Sequence, residues 1–466
     1  MRVWRILAKG SLIVLILTLL TNSAFSAQKV VPGSTCKVYK QKVIILNKTY
    51  TCIKFGKKLV WGKGLIAKPT PTPSPTPSPT PNSNQQMLAD FAKAAKTAQE
   101  NSENYLPSLD SNQVVKISNA GSNVLPYFLQ AKTPDKFKFL GPNPLIETDS
   151  SRLGAISLIT KDQRAVYGSR AATPPWAVSF NFTTNDPQGR FVIVTSAENT
   201  QGRPRYFWRL AFKTNTGTWK YQSLSGTAHA TDGKQYFDQV ELGAPGLYSI
   251  HLEFESSTTF YGIGLSDQTN SIDPGNVAPT SRVVIVGDSW VYPVFDETGP
   301  VHAWDAFPGA LSWLTGWNVI STGVGGQGYL SASAGETYRD RVVRDLIPQK
   351  PDVVIFTGSP NDHCQSCTFT DQQIANEMGE DIKLLKSANP NILIIVCSPF
   401  KGSPTQASAM KTVADLLGVA FINFIKLPLF DSINNGQNQL AGGHPTRIGS
   451  AFIAEQLLKS LSKLEN

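Results

Sequence analysis

From residue 281 to the end of the chain, apolar residues come in short solid runs separated by segments of helical period. Val283-Val284-Ile285-Val286 is the clearest run. Four β-branched residues in a row read as a strand buried on both faces. Further runs at 318–320, 352–356, 391–397 and 419–424 read the same way, with helical patterns such as 336–347 and 371–387 between them. This alternation predicts a parallel sheet with helices on both faces over 281–466. Ligands of such sheets gather at the carboxyl ends of the strands.

Upstream, from 146 to 280, the period changes to two. Ser179-Phe180-Asn181-Phe182 alternates, as does Trp208-Arg209-Leu210-Ala211-Phe212-Lys213. Tyr248, Ile250, Leu252 and Phe254 interleave with Ser249, His251, Glu253 and Glu255. With turn signals such as Asn215-Thr216-Gly217 between them, these runs predict an antiparallel β-sandwich of jelly-roll type. His251 falls on the outward face, where no role is expected for it. Trp176, Trp208 and Trp219 are either core or a platform on which sugars stack, since aromatics serve both purposes.

Residues 85–145 open with one amphipathic helix, where Met87, Leu88, Phe91, Ala94, Ala95 and Ala98 recur at helical spacing, and continue polar and turn-rich. Before them, 69–84 is a linker. Its run of alternating proline with threonine or serine over 69–81 predicts an extended polyproline spacer. Residues 27–68 read as a small module, with Cys36 and Cys52 flanking Val43-Ile44-Ile45-Leu46. A core this small needs a staple, and a Cys36–Cys52 bridge would contribute about 3 kcal/mol. Residues 1–26 have the form of a signal peptide: Arg2, Arg5 and Lys9, the aliphatic run Ser11 to Leu20, then Ala24-Phe25-Ser26. The aliphatic run is too short for a comfortable membrane span. The mature protein is therefore expected outside the cell, with no stable membrane anchor.

Charge sharpens this division. The 466 residues carry a formal +9, yet 27–68 hold ten Lys and no acid. From 69 onward 30 basic residues face 34 acidic ones. The basicity belongs to the N-terminal end, and no nucleic-acid partner is expected for the rest. The lysines of 27–68 form either a solvated face or a contact with an anionic cell-wall surface.

The loops after the predicted strands hold the candidate chemistry. Gly287-Asp288-Ser289 follows the first strand, placing a serine where a helix begins and backbone N–H groups are free. Gly323-Val324-Gly325-Gly326 follows the second, where glycines let backbone approach a ligand. Gly358-Ser359-Pro360-Asn361-Asp362 follows the third, and His444-Pro445-Thr446 opens the last helix. In this order the four blocks resemble the SGNH/GDSL hydrolase superfamily over residues 281–466. The resemblance implies a flavodoxin-like, three-layer α/β/α domain and acyl-ester hydrolysis. It implies Ser289 as nucleophile and His444 as general base. The Ser289 and Gly326 N–H groups and the Asn361 side chain would form the oxyanion hole, with Gly325 as the alternative to Gly326. The preceding sandwich resembles the layout of secreted carbohydrate esterases that remove acetyl groups, which makes acylated carbohydrate, or another small ester, the expected substrate.

The sequence departs from the family at Ala441, where an Asp normally orients the histidine. A backbone carbonyl, Asp431 from a nearby loop, or no third residue at all then completes the site. Cys364 and Cys367 follow the Asn361 loop and are expected to form a local disulfide; with His363 they are also a weak zinc pattern. Cys397, ending an apolar strand, reads as a buried thiol. No metal and no cofactor are expected. A lipase-like esterase, an acyltransferase with the same residues, and a non-catalytic glycan- or wall-binding protein are the alternatives.

Overall fold

The computed structural model describes residues 31–66 and 81–464 apart from 46–47, 64 and a set of further stretches, of which 147–155, 158–175, 292–302 and 427–439 are the longest. The expected signal peptide at 1–26 and the spacer over 69–80 lie outside the described residues. The chain divides into two compact units, Met1–Ser78 and Pro79–Asn466.

In the first unit, strands Lys42–Ile45, Lys48–Phe55 and Lys58–Trp61 form an antiparallel sheet. Gly56, at φ 61°, makes the two-residue turn between the last two. Cys36 and Cys52 are disulfide-bonded and buried with Trp61, and Val43, Tyr50 and Leu59 pack around them.

The second unit contains a sandwich and a parallel sheet. Among the described residues the sandwich has two sheets of seven strands each. Trp176–Thr184 pairs along its whole length with Gly246–Phe254, and Arg190–Glu198 pairs with Asp232–Glu241. One side chain in two points between the sheets: Trp176, Val178, Phe180 and Phe182 from one, Phe191 and Ile193 from the other. Trp176 and Trp208 are therefore core and present no platform to a sugar. The strands at 108–109, 116–119, 127–130 and 138–140 also join these sheets, so the sandwich begins well before 146. Each is four residues or fewer and too short to show a period-two pattern.

The helix that opens this unit, Pro81–Glu100, starts on a proline whose missing N–H costs nothing in a first turn. It belongs to the other layer: Phe91 lies 4.6 Å from Trp317, and Ala95 joins the same apolar cluster.

The parallel sheet runs Asn318–Gly323, Arg282–Gly287, Val353–Thr357, Leu393–Cys397, Ala420–Ile422 across its width. That is strand order 2-1-3-4-5, the flavodoxin-like order, which reverses between the first and third strands. Ile285 and Ile355 face the helices Phe307–Thr315 and Arg447–Leu461 with Pro81–Glu100. Val284, Val354 and Phe356 face Asp371–Ala388 and Pro404–Leu416. The predicted helix 336–347 is a mixture: one α-turn at Tyr338–Arg341, a π-turn at Val342–Leu346, and a 3-10 turn at Ile347–Gln349 containing Pro348. Among the described residues no helix is long and apolar enough to cross a membrane.

In the sheet that holds Trp176–Thr184, Trp208–Thr214 and Gly246–Phe254 the outward face is not free. Residues 303–315 cover it. Trp304 donates to the Trp176 carbonyl at 2.9 Å, and Trp313 donates to Glu253 at 2.8 Å. Arg209, fully buried, donates to Glu253 at 2.6 Å and to Asp305 at 2.7 Å. His251 is buried in the same layer, 2.6 Å from Ser179 Oγ and packed on Trp304 and Trp313. Burial, then the nearby Arg209 charge, pushes its pKa down to about 3, so it stands there as a neutral imidazole. The expectation of an exposed, idle His251 is corrected by this cover.

Candidate active site

The first strand ends at Gly287 because no side chain fits there. A Cβ would run into Val291 and Thr357 Oγ1. Val324 N and Arg341 Nη1 each donate to the Gly287 carbonyl at 3.1 Å and fix the chain as it leaves the sheet. Asp288 then turns inward: its carboxylate accepts from Trp290 N at 2.9 Å and from Ser359 Oγ at 2.7 Å. Burial raises its pKa to about 6 against the pull of these hydrogen bonds. Ser289, next in line, stays half-exposed at the carboxyl end of the sheet.

The second loop passes beside it. Gly325 comes close enough that a Cβ there would lie 3.7 Å from Ser289 Cβ, and Gly326 takes the left-handed φ of 80°. Among the described residues, the N–H groups of Ser289, Gly325 and Gly326 meet no acceptor. Gly328 lies against the Asp362 carboxylate, which accepts from the N–H groups of Tyr329, Leu330 and Ser331 at 3.0, 2.9 and 2.8 Å. Burial moves Asp362 upward and these three donors oppose the shift.

The third loop supplies Asn361. Its Nδ2 donates to Gln327 O at 3.1 Å and to Ser359 Oγ at 2.9 Å, with Asp288 at 3.3 Å. His444 reaches the site from the other side of the sheet's end. It sits in a two-residue bridge, paired with Ala441, just before Thr446 caps the last helix. Its Nε2 lies 2.9 Å from Ser289 Oγ. Ser289 and His444 thus meet where the strand order reverses, and Asn361 is held against Asp288, the residue before Ser289.

Of the other residues singled out by sequence, Asp431 and Cys364 lie outside the described residues. Cys367 is disulfide-bonded, which removes its thiolate from any zinc site. His363 Nε2 lies 2.8 Å from Asp371 Oδ1. Cys397 is buried with a free thiol, and burial pushes its pKa up. Sequence reasoning passed over Ser359, Gln327 and Arg341. Ser359 lies in a quoted loop and Gln327 directly after one, but neither carries a distinct signal; Arg341 looks like any helical arginine.

A serine hydroxyl against an imidazole, beside N–H groups that meet no acceptor among the described residues, at the switch point of a parallel sheet, is an arrangement that serine-hydrolase chemistry can use. Residues 285–452 match the GDSL-like lipase/acylhydrolase family. Over these residues the C-terminal domain is therefore similar to that family. No curated protein matches the chain. Among solved structures, a salicylyl-acyltransferase from a tetracycline biosynthetic pathway is 12% identical, with a TM-score of 0.51 over 72% of this chain and 98% of that one. A family two carbohydrate esterase from Cellvibrio japonicus is 14% identical, with a TM-score of 0.49 over 75% and 99%. An acetyl xylan esterase from the rumen bacterium Butyrivibrio proteoclasticus is 12% identical, with a TM-score of 0.48 over 72% and 98%.

Proposed function

We propose that this protein is an exported serine esterase that hydrolyses acyl esters, acetyl above all, on carbohydrate. The observation that carries the proposal is the 2.9 Å between His444 Nε2 and Ser289 Oγ. In this mechanism His444 takes the Ser289 proton as Oγ attacks the ester carbonyl carbon. The carbonyl electrons move to its oxygen. The N–H groups of Ser289 and Gly326, or Gly325, and the Asn361 amide hold that charge, each worth about 3–4 kcal/mol. The intermediate collapses, the alcohol leaves with the proton from His444, and water removes the acyl group from Ser289 by the same sequence. Asp288 and Ser359 hold Asn361 in place, while Ala441 stands where the family has its acid. The site is proposed to work as a Ser–His dyad, with Asp431 as the rival acid.

The carbohydrate part rests on the layout read from sequence, a sandwich ahead of an SGNH-type domain. The strand orders within the two sheets support the jelly-roll reading of that sandwich. Export is supported by the form of residues 1–26. Residues 27–68 are proposed to contact anionic wall polymer, since Lys37, Lys40, Lys54, Lys57, Lys58 and Lys63 are all exposed. The fold likeness to an acyltransferase favours one rival reading, transfer of the acyl group to an alcohol instead of water.

The test is turnover of p-nitrophenyl acetate against longer acyl chains, with and without an added sugar alcohol. Fastest turnover of acetate, with free acid as product, is expected. A preference for long chains favours the lipase reading, and acyl sugar as the main product favours transfer.

A further inference from the structure

A cavity of about 430 Å³ opens beside the Asn361 loop, lined by Pro360, His363, Lys401, Gly402 and Ser403. That volume is in the range of small-molecule sites. Its walls come from the loops after Val353–Thr357 and Leu393–Cys397, at the same end of the sheet as Ser289. Pro360 adjoins Asn361. Lys401 Nζ lies 5.5 Å from the ring centroid of Trp290, the residue after Ser289. The cavity therefore opens next to the reacting centre.

Its charge is one-sided. Lys401 is exposed and makes no ion pair with any described residue. His363 already faces Asp371 at 2.8 Å, so Lys401 is the uncompensated charge of the wall. The first turn of the helix Pro404–Leu416 is capped, because Ser403 Oγ accepts from Gln406 N at 3.0 Å.

We propose that this cavity is a substrate subsite for a uronic acid unit, so that the ester lies on an acidic glycan. This deepens, and for the placing of the ester rests on, the esterase reading. Lys401 meets the sugar carboxylate.

The probes are an O-acetylated methyl glucuronide and the matching O-acetylated methyl glucoside, which differ by one carboxylate. Binding is measured by titration calorimetry on full-length Ser289→Ala protein, and kcat/KM on wild type, Lys401→Met and Lys401→Arg. The glucuronide is expected to bind about tenfold more tightly, in line with a hydrogen bond to a charged group, and to lose that advantage at high salt. The ratio of kcat/KM for glucuronide over glucoside should fall towards one in Lys401→Met and persist in Lys401→Arg. Equal binding of the two sugars, or a preference that survives Lys401→Met, overturns the subsite. Tighter glucuronide binding without turnover of either sugar upholds the subsite and sinks the esterase reading instead.

Discussion

Asp288 is a carboxylate enclosed between the turn that carries Ser289 and the loop that carries Asn361, and its pKa is raised from 3.8 to about 6 by burial. A folded pKa above the unfolded one favours the protonated form on folding. The stability from this group is complete below the unfolded pKa and is lost as pH rises through the folded one. Asp288→Asn removes that dependence. The stability of the variant relative to wild type should therefore rise between about pH 4 and about pH 6, read by urea denaturation across that window. A flat difference would mean that Asp288 titrates normally. At Ala441 the register places residue 441 directly opposite His444. Ala441→Asp restores a carboxylate at the position where the resemblance expects one. Ester turnover should rise, whereas Asp431→Asn should change it only modestly. If Asp431→Asn is as inactive as His444→Ala, a displaced triad replaces the dyad. The blocks holding Ser289, Asn361 and His444 were legible because each sits in a short glycine- or proline-marked loop. The Asp288–Ser359–Asn361 contacts were not, since they join residues more than 70 positions apart.

At the scale of elements, the sandwich and the parallel sheet are joined by a buried charge cluster. Arg209 lies between Glu253 and Asp305, and Arg447 Nε reaches Asp305 at 3.4 Å, three residues past His444. Removing one member of such a group leaves the others buried and unpaired. Arg209→Met should cost about 3–5 kcal/mol in denaturant unfolding. His251, in the same layer, has its pKa lowered from 6.5 to about 3. Between those values the unfolded chain binds a proton that the folded one does not, so stability falls as pH falls. His251→Gln should lessen the stability lost between about pH 6.5 and about pH 4, with no change expected if the imidazole titrates normally in the folded protein. The period-two pattern separated the two faces of these strands correctly. It could not reveal the cover, because a strand's alternation records only which face meets its own sheet partner's core. Arg209 and Glu253 read as solvent-facing, and their burial depends on residues 303–315, about a hundred positions downstream of Arg209 and fifty of Glu253.

For the molecule as a whole, the lysine-rich module falls within the compact unit Met1–Ser78 and the candidate active site within Pro79–Asn466. Deleting 27–68 should leave turnover of a soluble ester intact and weaken binding to anionic wall material, with salt mimicking the loss. Equal binding with and without the module removes its adhesive role. The parallel sheet was the most legible part of the chain, because strands buried on both faces leave solid apolar runs. The short strands at 108–140, which complete the sandwich, were the least.

Catalysis itself is proposed for Ser289 and His444. Purified wild type, Ser289→Ala and His444→Ala are compared on p-nitrophenyl acetate, with folding checked by circular dichroism. Both variants should be folded and lose turnover by a factor of about 10⁴ or more. Folded Ser289→Ala protein that keeps wild-type turnover would contradict the assignment.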